Sequence, residues 1–176
     1  MDTERIDHED RSVVVVYTDG SCYPNPNGSG GWAFYCTYRG KSAVRYGFSS
    51  SSTNNAMELT AILHALRYVP KDEAAPLVIF TDSQYCKNAI TLWVEEWKFA
   101  KWKTANGGEV KNKKLIAEID KLMTAHREVR RVELRWVRGH SGIPENELVD
   151  QTAGMARVNA KTNWKPSDHR NRVTRK

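Results

Sequence analysis

Val13-Val14-Val15-Val16-Tyr17-Thr18 is an unbroken, mostly β-branched run that ends at Asp19-Gly20. A strand with no polar alternation must be buried on both faces, so something has to cover each side of the sheet it joins. Leu77-Val78-Ile79-Phe80, which ends at Thr81-Asp82, repeats the pattern. Segments with helical periodicity lie between and after these runs, which makes the fold class α/β.

Two further strands, Trp32–Tyr38 and Ala43–Phe48, are joined by Arg39-Gly40-Lys41 as a hairpin, and a fifth covers residues 132–137. Ser21 to Gly31, rich in Pro, Asn and Gly, reads as a loop. Thr53 or Asn54 can cap a helix running to about Val69, with Met57, Ala61, Ile62, Leu63, Ala65 and Leu66 on its apolar face. Helical patterns follow at Gln84–Leu92, Trp93–Ala100, Lys113–His126 and Glu145–Val158. The expected architecture is a five-stranded mixed sheet flanked by helices. Residues 1–11 read as a mobile acidic leader, 12–160 as one domain and 161–176 as a basic, disordered tail.

The net charge of +6 and a pI near 9.3 favour a polyanionic partner. Cys22, Cys36 and Cys86 make no even framework and no CxxC spacing, which argues against a disulfide scaffold or a zinc site and for a reducing compartment. No apolar run reaches membrane-spanning length, and no basic-then-apolar leader opens the chain, so the expectation is a cytoplasmic protein without membrane contact. A monomer is the default expectation.

Asp19 and Asp82 close the two buried strands, and parallel pairing of those strands would set them side by side. Glu58, in the first turn of its helix, can lean over the same edge; Asp150 lies in the last helix. Each acid has an ordinary alternative: a turn, a cap, a dipole partner or a solvated face. Their convergence would not be ordinary. Two carboxylates about 4 Å apart repel by about 4 kcal/mol at an effective dielectric near 20, so a cluster persists only if protonated or cation-bound. Such an oxygen-rich set suits hard divalent cations, and two ions about 4 Å apart suit phosphodiester displacement. His140, in Arg138-Gly139-His140-Ser141-Gly142, is a loop histidine that the glycines would allow to swing as a proton shuttle.

Between Thr91 and Lys114, Trp93, Trp97 and Trp102 alternate with Lys98, Lys101, Lys103, Lys111, Lys113 and Lys114. Some of these tryptophans can be core. Aromatics interleaved with lysines also form what a nucleic-acid surface needs, charge for phosphates and rings for sugars or bases.

Six motifs stand in an order that resembles type 1 ribonuclease H over about residues 13–160. They are Tyr17-Thr18-Asp19-Gly20-Ser21-Cys22, Thr53-Asn54-Asn55-Ala56-Met57-Glu58-Leu59, Thr81-Asp82-Ser83-Gln84-Tyr85, Trp97 through Trp102-Lys103-Thr104, Trp136-Val137-Arg138-Gly139-His140-Ser141-Gly142 and Pro144-Glu145-Asn146-Glu147-Leu148-Val149-Asp150. The resemblance implies a ribonuclease H-like fold and an endonuclease that cuts the RNA strand of an RNA–DNA hybrid, leaving 3′-hydroxyl and 5′-phosphate ends. It implies two Mg²⁺ ions, with Mn²⁺ able to substitute, held by Asp19, Glu58, Asp82 and Asp150, with His140 assisting proton transfer or product release. By position, Asn25, Asn54, Asn55 and Gln84, with Cys22 beside them, resemble contacts to the hybrid's minor groove, where the 2′-hydroxyl marks RNA. Trp93, Trp97, Lys98, Lys101 and Lys103 resemble a basic protrusion that follows the DNA strand; Thr53 and Asn112 resemble a pocket for a DNA phosphate. Ser51 stands where some relatives carry an arginine beside that pocket. The alternative is a non-catalytic module that only binds hybrid, although all four carboxylates are present. A strand-transfer enzyme on the same fold would lack a use for the 2′-hydroxyl contacts.

Overall fold

A computed structural model describes residues 12–71 and 74–160 of the 176. The expected leader and tail lie outside them. The sheet has the order β3-β2-β1-β4-β5. Its strands are β1 (Val14–Tyr23), β2 (Ser29–Tyr38), β3 (Lys41–Ser49), β4 (Leu77–Thr81) and β5 (Val132–Trp136). The first three form an antiparallel meander, whereas β4 runs parallel to both β1 and β5. This is the expected five-stranded mixed sheet.

Alternate residues of β1 feed two cores, which explains its unbroken apolar run. Val14 and Val16 join the larger cluster with Leu59, Ile62, Leu66 and Ile79 under α1 (Asn54–Tyr68). Val15 and Tyr17 join a smaller cluster with Phe80, Val149 and Ala153 under α5 (Pro144–Asn159). Helix α1 starts where the Ala56 N–H donates to Thr53 Oγ1 at 3.1 Å, so Thr53 is the cap. Helix α4 (Lys113–Arg127) packs Ile116, Ile119 and Met123 into the larger core.

Two expectations need correction. β1 does not stop at Asp19-Gly20. It continues to Tyr23 because Gly20, Ser21, Cys22 and Tyr23 pair with Trp32, Gly31, Gly30 and Ser29. The presumed loop at 21–31 therefore shrinks to residues 24–28. The segment 84–99 also differs from two abutting helices. Helix α2 (Gln84–Asn88) passes through a π turn at Ala89–Trp93 into α3 (Val94–Phe99). Beyond it, Trp93, Trp97 and Trp102 form a ladder with centroids 5.7 and 6.5 Å apart, and all three are half-buried against the larger core. No helix among the described residues is long and apolar enough to cross a membrane.

His126, at the end of α4, is fully buried; one ring nitrogen bonds the Leu66 carbonyl at 2.8 Å and Nδ1 has no partner. Burial, reinforced by the charges of Arg130 and Lys71, pushes its pKa below the usual value. A base with a lowered folded pKa contributes stability above its unfolded value, and this stability is lost as pH falls through that value. Wild-type Tm should therefore drop more between pH 7 and pH 5 than that of His126→Gln, by thermal melts at matched ionic strength. Parallel curves would remove His126 from the acid response.

Candidate active site

The parallel pairing of β1 with β4 sets Thr18 beside Thr81, so Asp82 leaves the end of β4 next to Asp19. Glu58 comes from the second turn of α1 and not, as expected, from the first, because the helix starts at Asn54. A Cβ on Gly20 would lie 2.2 Å from the Glu58 backbone nitrogen, so only glycine lets the helix come down here. One carboxylate oxygen from each of Asp19, Glu58 and Asp82 lies within 4.8 Å of the others. Asp19 and Glu58 are buried, whereas Asp82 is half-buried.

The environment opposes three negative charges. Burial, then the Asp82 charge, pushes the Asp19 pKa up to about 7. Burial, followed by Asp19 and Asp82, holds Glu58 well above the usual carboxylate range. Asp82 is raised mainly by burial, partly offset by the Asn146 amide. The interaction between the two side chains raises Glu58 and lowers Asp19, and Glu58 Oε2 is buried with no hydrogen-bond partner. An acid oxygen left unsatisfied inside a pocket of acids fits a cation or a proton and little else. This donor set suits a hard divalent ion.

Asp150, on α5, stands beside the trio rather than in its tightest part; its charge raises the pKa of both Asp19 and Asp82. His140 Nδ1 lies 3.8 Å from Asp150 Oδ2. The imidazole is 82% exposed, on a backbone with φ of 52°. Gly139 makes room for the site, since a Cβ there would fall 2.8 Å from Asp82 Oδ2.

Sequence reasoning passed over Asn146. It is buried at the start of α5, with its Nδ2 donating to Asp82 Oδ2 at 3.5 Å. Trp136 fixes the other side, with Nε1 donating to the Asp82 carbonyl at 3.0 Å. The signal was the Pro144-Glu145-Asn146 start of α5, where an amide is set one turn before Asp150.

Cys22, Asn25 and Asn54 form one connected unit. The Cys22 N–H donates to Asn54 Oδ1 at 2.7 Å, and the Asn54 N–H donates to Asn25 Oδ1 at 3.0 Å. Asn55 and Gln84 are exposed at the first turns of α1 and α2. Asn112, left-handed at the start of α4, donates to Tyr85 Oη at 3.2 Å. Ser51 Oγ donates to the Asn27 carbonyl at 3.3 Å. On the protrusion, Lys101 and Lys103 are exposed, whereas Lys98 is bound to Glu95 at 2.7 Å and Asp120 at 3.1 Å.

The family model described as RNase H matches residues 11–157. A ribonuclease HI of Pseudomonas aeruginosa is 42% identical over 144 residues, which cover 82% of this chain and 93% of that protein. The crystal structure of LC9-RNase H1, a type 1 RNase H with the type 2 active-site motif, matches with a TM-score of 0.71 at 30% identity, over 84% of this chain and 73% of that one. A foamy viral protease-reverse transcriptase, solved in complex with an RNA/DNA hybrid, matches at TM-score 0.69 and 16% identity, over 89% of this chain and 22% of that one; it shares the fold. Agreement in sequence along nearly all of the described chain, and in fold, places the chain in the ribonuclease H family, as an enzyme of that family.

Proposed function

We propose that the chain hydrolyses the RNA strand of RNA–DNA hybrids as an endonuclease, leaving 3′-hydroxyl and 5′-phosphate ends. The observation that carries this reading is the trio of Asp19, Glu58 and Asp82, two of them buried, with raised pKa values and an unsatisfied Glu58 oxygen. Together with Asp150 they would hold two Mg²⁺ ions, or Mn²⁺ in their place, which supply activation of the attacking water and stabilisation of the leaving oxygen. Asn146 holds the Asp82 carboxylate, and Trp136 the Asp82 backbone carbonyl, at the site. His140, exposed and next to Asp150, takes up or delivers a proton as the strand breaks and product leaves.

Cys22, Asn25, Asn54, Asn55 and Gln84 line the minor groove and read the 2′-hydroxyl. The Cys22–Asn54–Asn25 hydrogen bonds fix the first three before substrate arrives. Trp93, Trp97, Lys98, Lys101 and Lys103 follow the DNA strand, with Thr53 and Asn112 at one of its phosphates. A foamy viral protease-reverse transcriptase that shares this fold has been solved with an RNA/DNA hybrid and also with dsDNA. The three cysteines are free and buried, which suits a monomer working in the reducing cytoplasm.

The test is cleavage of end-labelled hybrid with and without Mg²⁺, beside matched RNA–RNA and DNA–DNA duplexes. Mg²⁺-dependent cutting of the hybrid's RNA strand alone is the expected result. Folded protein that binds hybrid without cutting it would instead make the chain a hybrid-binding module. His140→Ala should lower kcat about 100-fold at unchanged hybrid affinity; an unchanged kcat would take His140 out of proton transfer.

A further inference from the structure

Arg157, near the end of α5, is held by two side chains of β1. Its Nε donates to Ser21 Oγ at 3.0 Å, and its guanidinium carbon lies 5.8 Å from the centroid of the Tyr23 ring. One contact fixes the edge of the fork and the other fixes its plane. Among the described residues no carboxylate forms an ion pair with it. A guanidinium has five donors and only one is used here, so a fork remains for a planar or tetrahedral anion.

The backbone has been shaped to bring this arginine down. Ser21 pairs with Gly31 across β1 and β2. A Cβ on Gly31 would lie 2.2 Å from the Ala153 carbonyl and 2.4 Å from the Arg157 nitrogen, so the last turns of α5 rest directly on the sheet at this glycine. Ser21 is two residues beyond Asp19 and on the same face of β1, a distance of about 7 Å. Arg157 is seven residues beyond Asp150 on α5, or roughly 10 Å along the helix. The guanidinium thus stands one short step from the carboxylates, next to a Tyr23 that is 71% exposed at the same rim.

The geometry points to Arg157 as a phosphate-binding residue for the cleaved strand, gripping a phosphate one or two nucleotides from the scissile one. This rests on the proposed hybrid cleavage, which brings the scissile phosphate to the carboxylates. Arg157 is not among the groups that shift the pKa values of Asp19, Glu58 or Asp82, so its charge is not spent on the carboxylates, and a bidentate fork matches phosphate geometry. Ser21 and Tyr23 are positioning residues: they act through the guanidinium.

The experiment is steady-state cleavage of hybrid by wild type, Arg157→Gln and Arg157→Lys across a range of salt concentrations, with Tm recorded for each. Arg157→Gln should raise KM about ten-fold with kcat within two-fold of wild type, and should flatten the log KM against log salt slope by about one unit. Arg157→Lys should restore the slope and only part of the affinity. A neutral methylphosphonate walked along the RNA strand should cost wild type affinity at one position within two nucleotides of the cut and cost Arg157→Gln nothing further there. If Arg157→Gln loses Tm but keeps wild-type KM and slope, the residue is only a staple between α5 and β1, and the inference is wrong. Should wild type itself neither bind nor cut hybrid, the functional reading falls and this inference with it; should wild type cut normally while Arg157→Gln matches it, this inference alone falls.

Discussion

Asp19→Asn is expected to lower hybrid cleavage on the order of 10³-fold while making the metal-free protein more stable. The two effects share one cause. Asp19 is 5% exposed, its neighbours are Glu58 and Asp82, and its pKa is pushed up to about 7 by burial and then by the Asp82 charge. A carboxyl with a raised folded pKa contributes stability below its unfolded value, and that contribution is lost as pH rises through the folded value. The metal-free wild type should therefore lose Tm as pH climbs from about 4 through 7. Asparagine cannot ionise, so the variant should resist that loss and gain about 2 kcal/mol at pH 8. Adding Mg²⁺ should raise the Tm of the wild type strongly and of the variant weakly. Melting curves with chelator and with Mg²⁺ at several pH values decide it. A wild type indifferent to both pH and Mg²⁺ would mean that the trio holds no cation.

Gly20→Ala should damage fold and site together. The added methyl would fall 2.2 Å from the Glu58 nitrogen and 2.3 Å from the Met57 carbonyl carbon, and both are backbone atoms that cannot rotate away. Either β1 bows out of its pairing with Trp32, or the N-terminal half of α1 lifts off and carries Glu58 with it. A stability loss of about 3 kcal/mol is expected by urea unfolding, together with a weaker response of cleavage to Mg²⁺. Loss of stability with wild-type Mg²⁺ dependence would show that the strand, and not the helix, yields. Near-wild-type stability would contradict the close approach itself.

Gly20 also shows where the sequence misleads. Asp-Gly after an apolar run reads as a turn, and local rules give no reason to continue the strand. The strand goes on because Gly30, Gly31 and Trp32 wait on β2, which is a tertiary fact. The glycine is needed for a helix crossing over it, a contact between residues 20 and 58 that no short window contains. What was legible follows from periodicity: the doubly buried β1 and β4, the hairpin, the extents of α1 and α4, and the placing of Asp82 beside Asp19 by parallel strands. The π turn at Ala89–Trp93 was not legible, because a single wide turn shifts the helical phase by less than the pattern can register. The tryptophans are equally two-sided in the structure, since a half-buried ring ladder can serve the core with one edge and a ligand with the other. The engagement of Lys98 by Asp120 joins α3 to α4, which composition cannot reveal. Asn146 was hidden for a related reason: its partner Asp82 lies on a different element, 64 positions earlier.

The carboxylates come from β1, from α1, from the end of β4 and from α5, so the site spans almost the whole described chain, from Asp19 to Asp150. Synthesis proceeds from the N-terminus, and α5 is the last of the described elements to leave the ribosome. A nascent chain that has built the sheet and most of its helices still lacks Asp150, Asn146 and the α5 layer over Tyr17 and Phe80. Its acid pocket holds Asp19, Glu58 and Asp82 without the fourth carboxylate of the proposed site, so competence in that proposal comes only with α5. On the proposed function, cleavage then requires that synthesis has passed α5: a ribosome stalled before Asp150 holds a polypeptide without its fourth carboxylate.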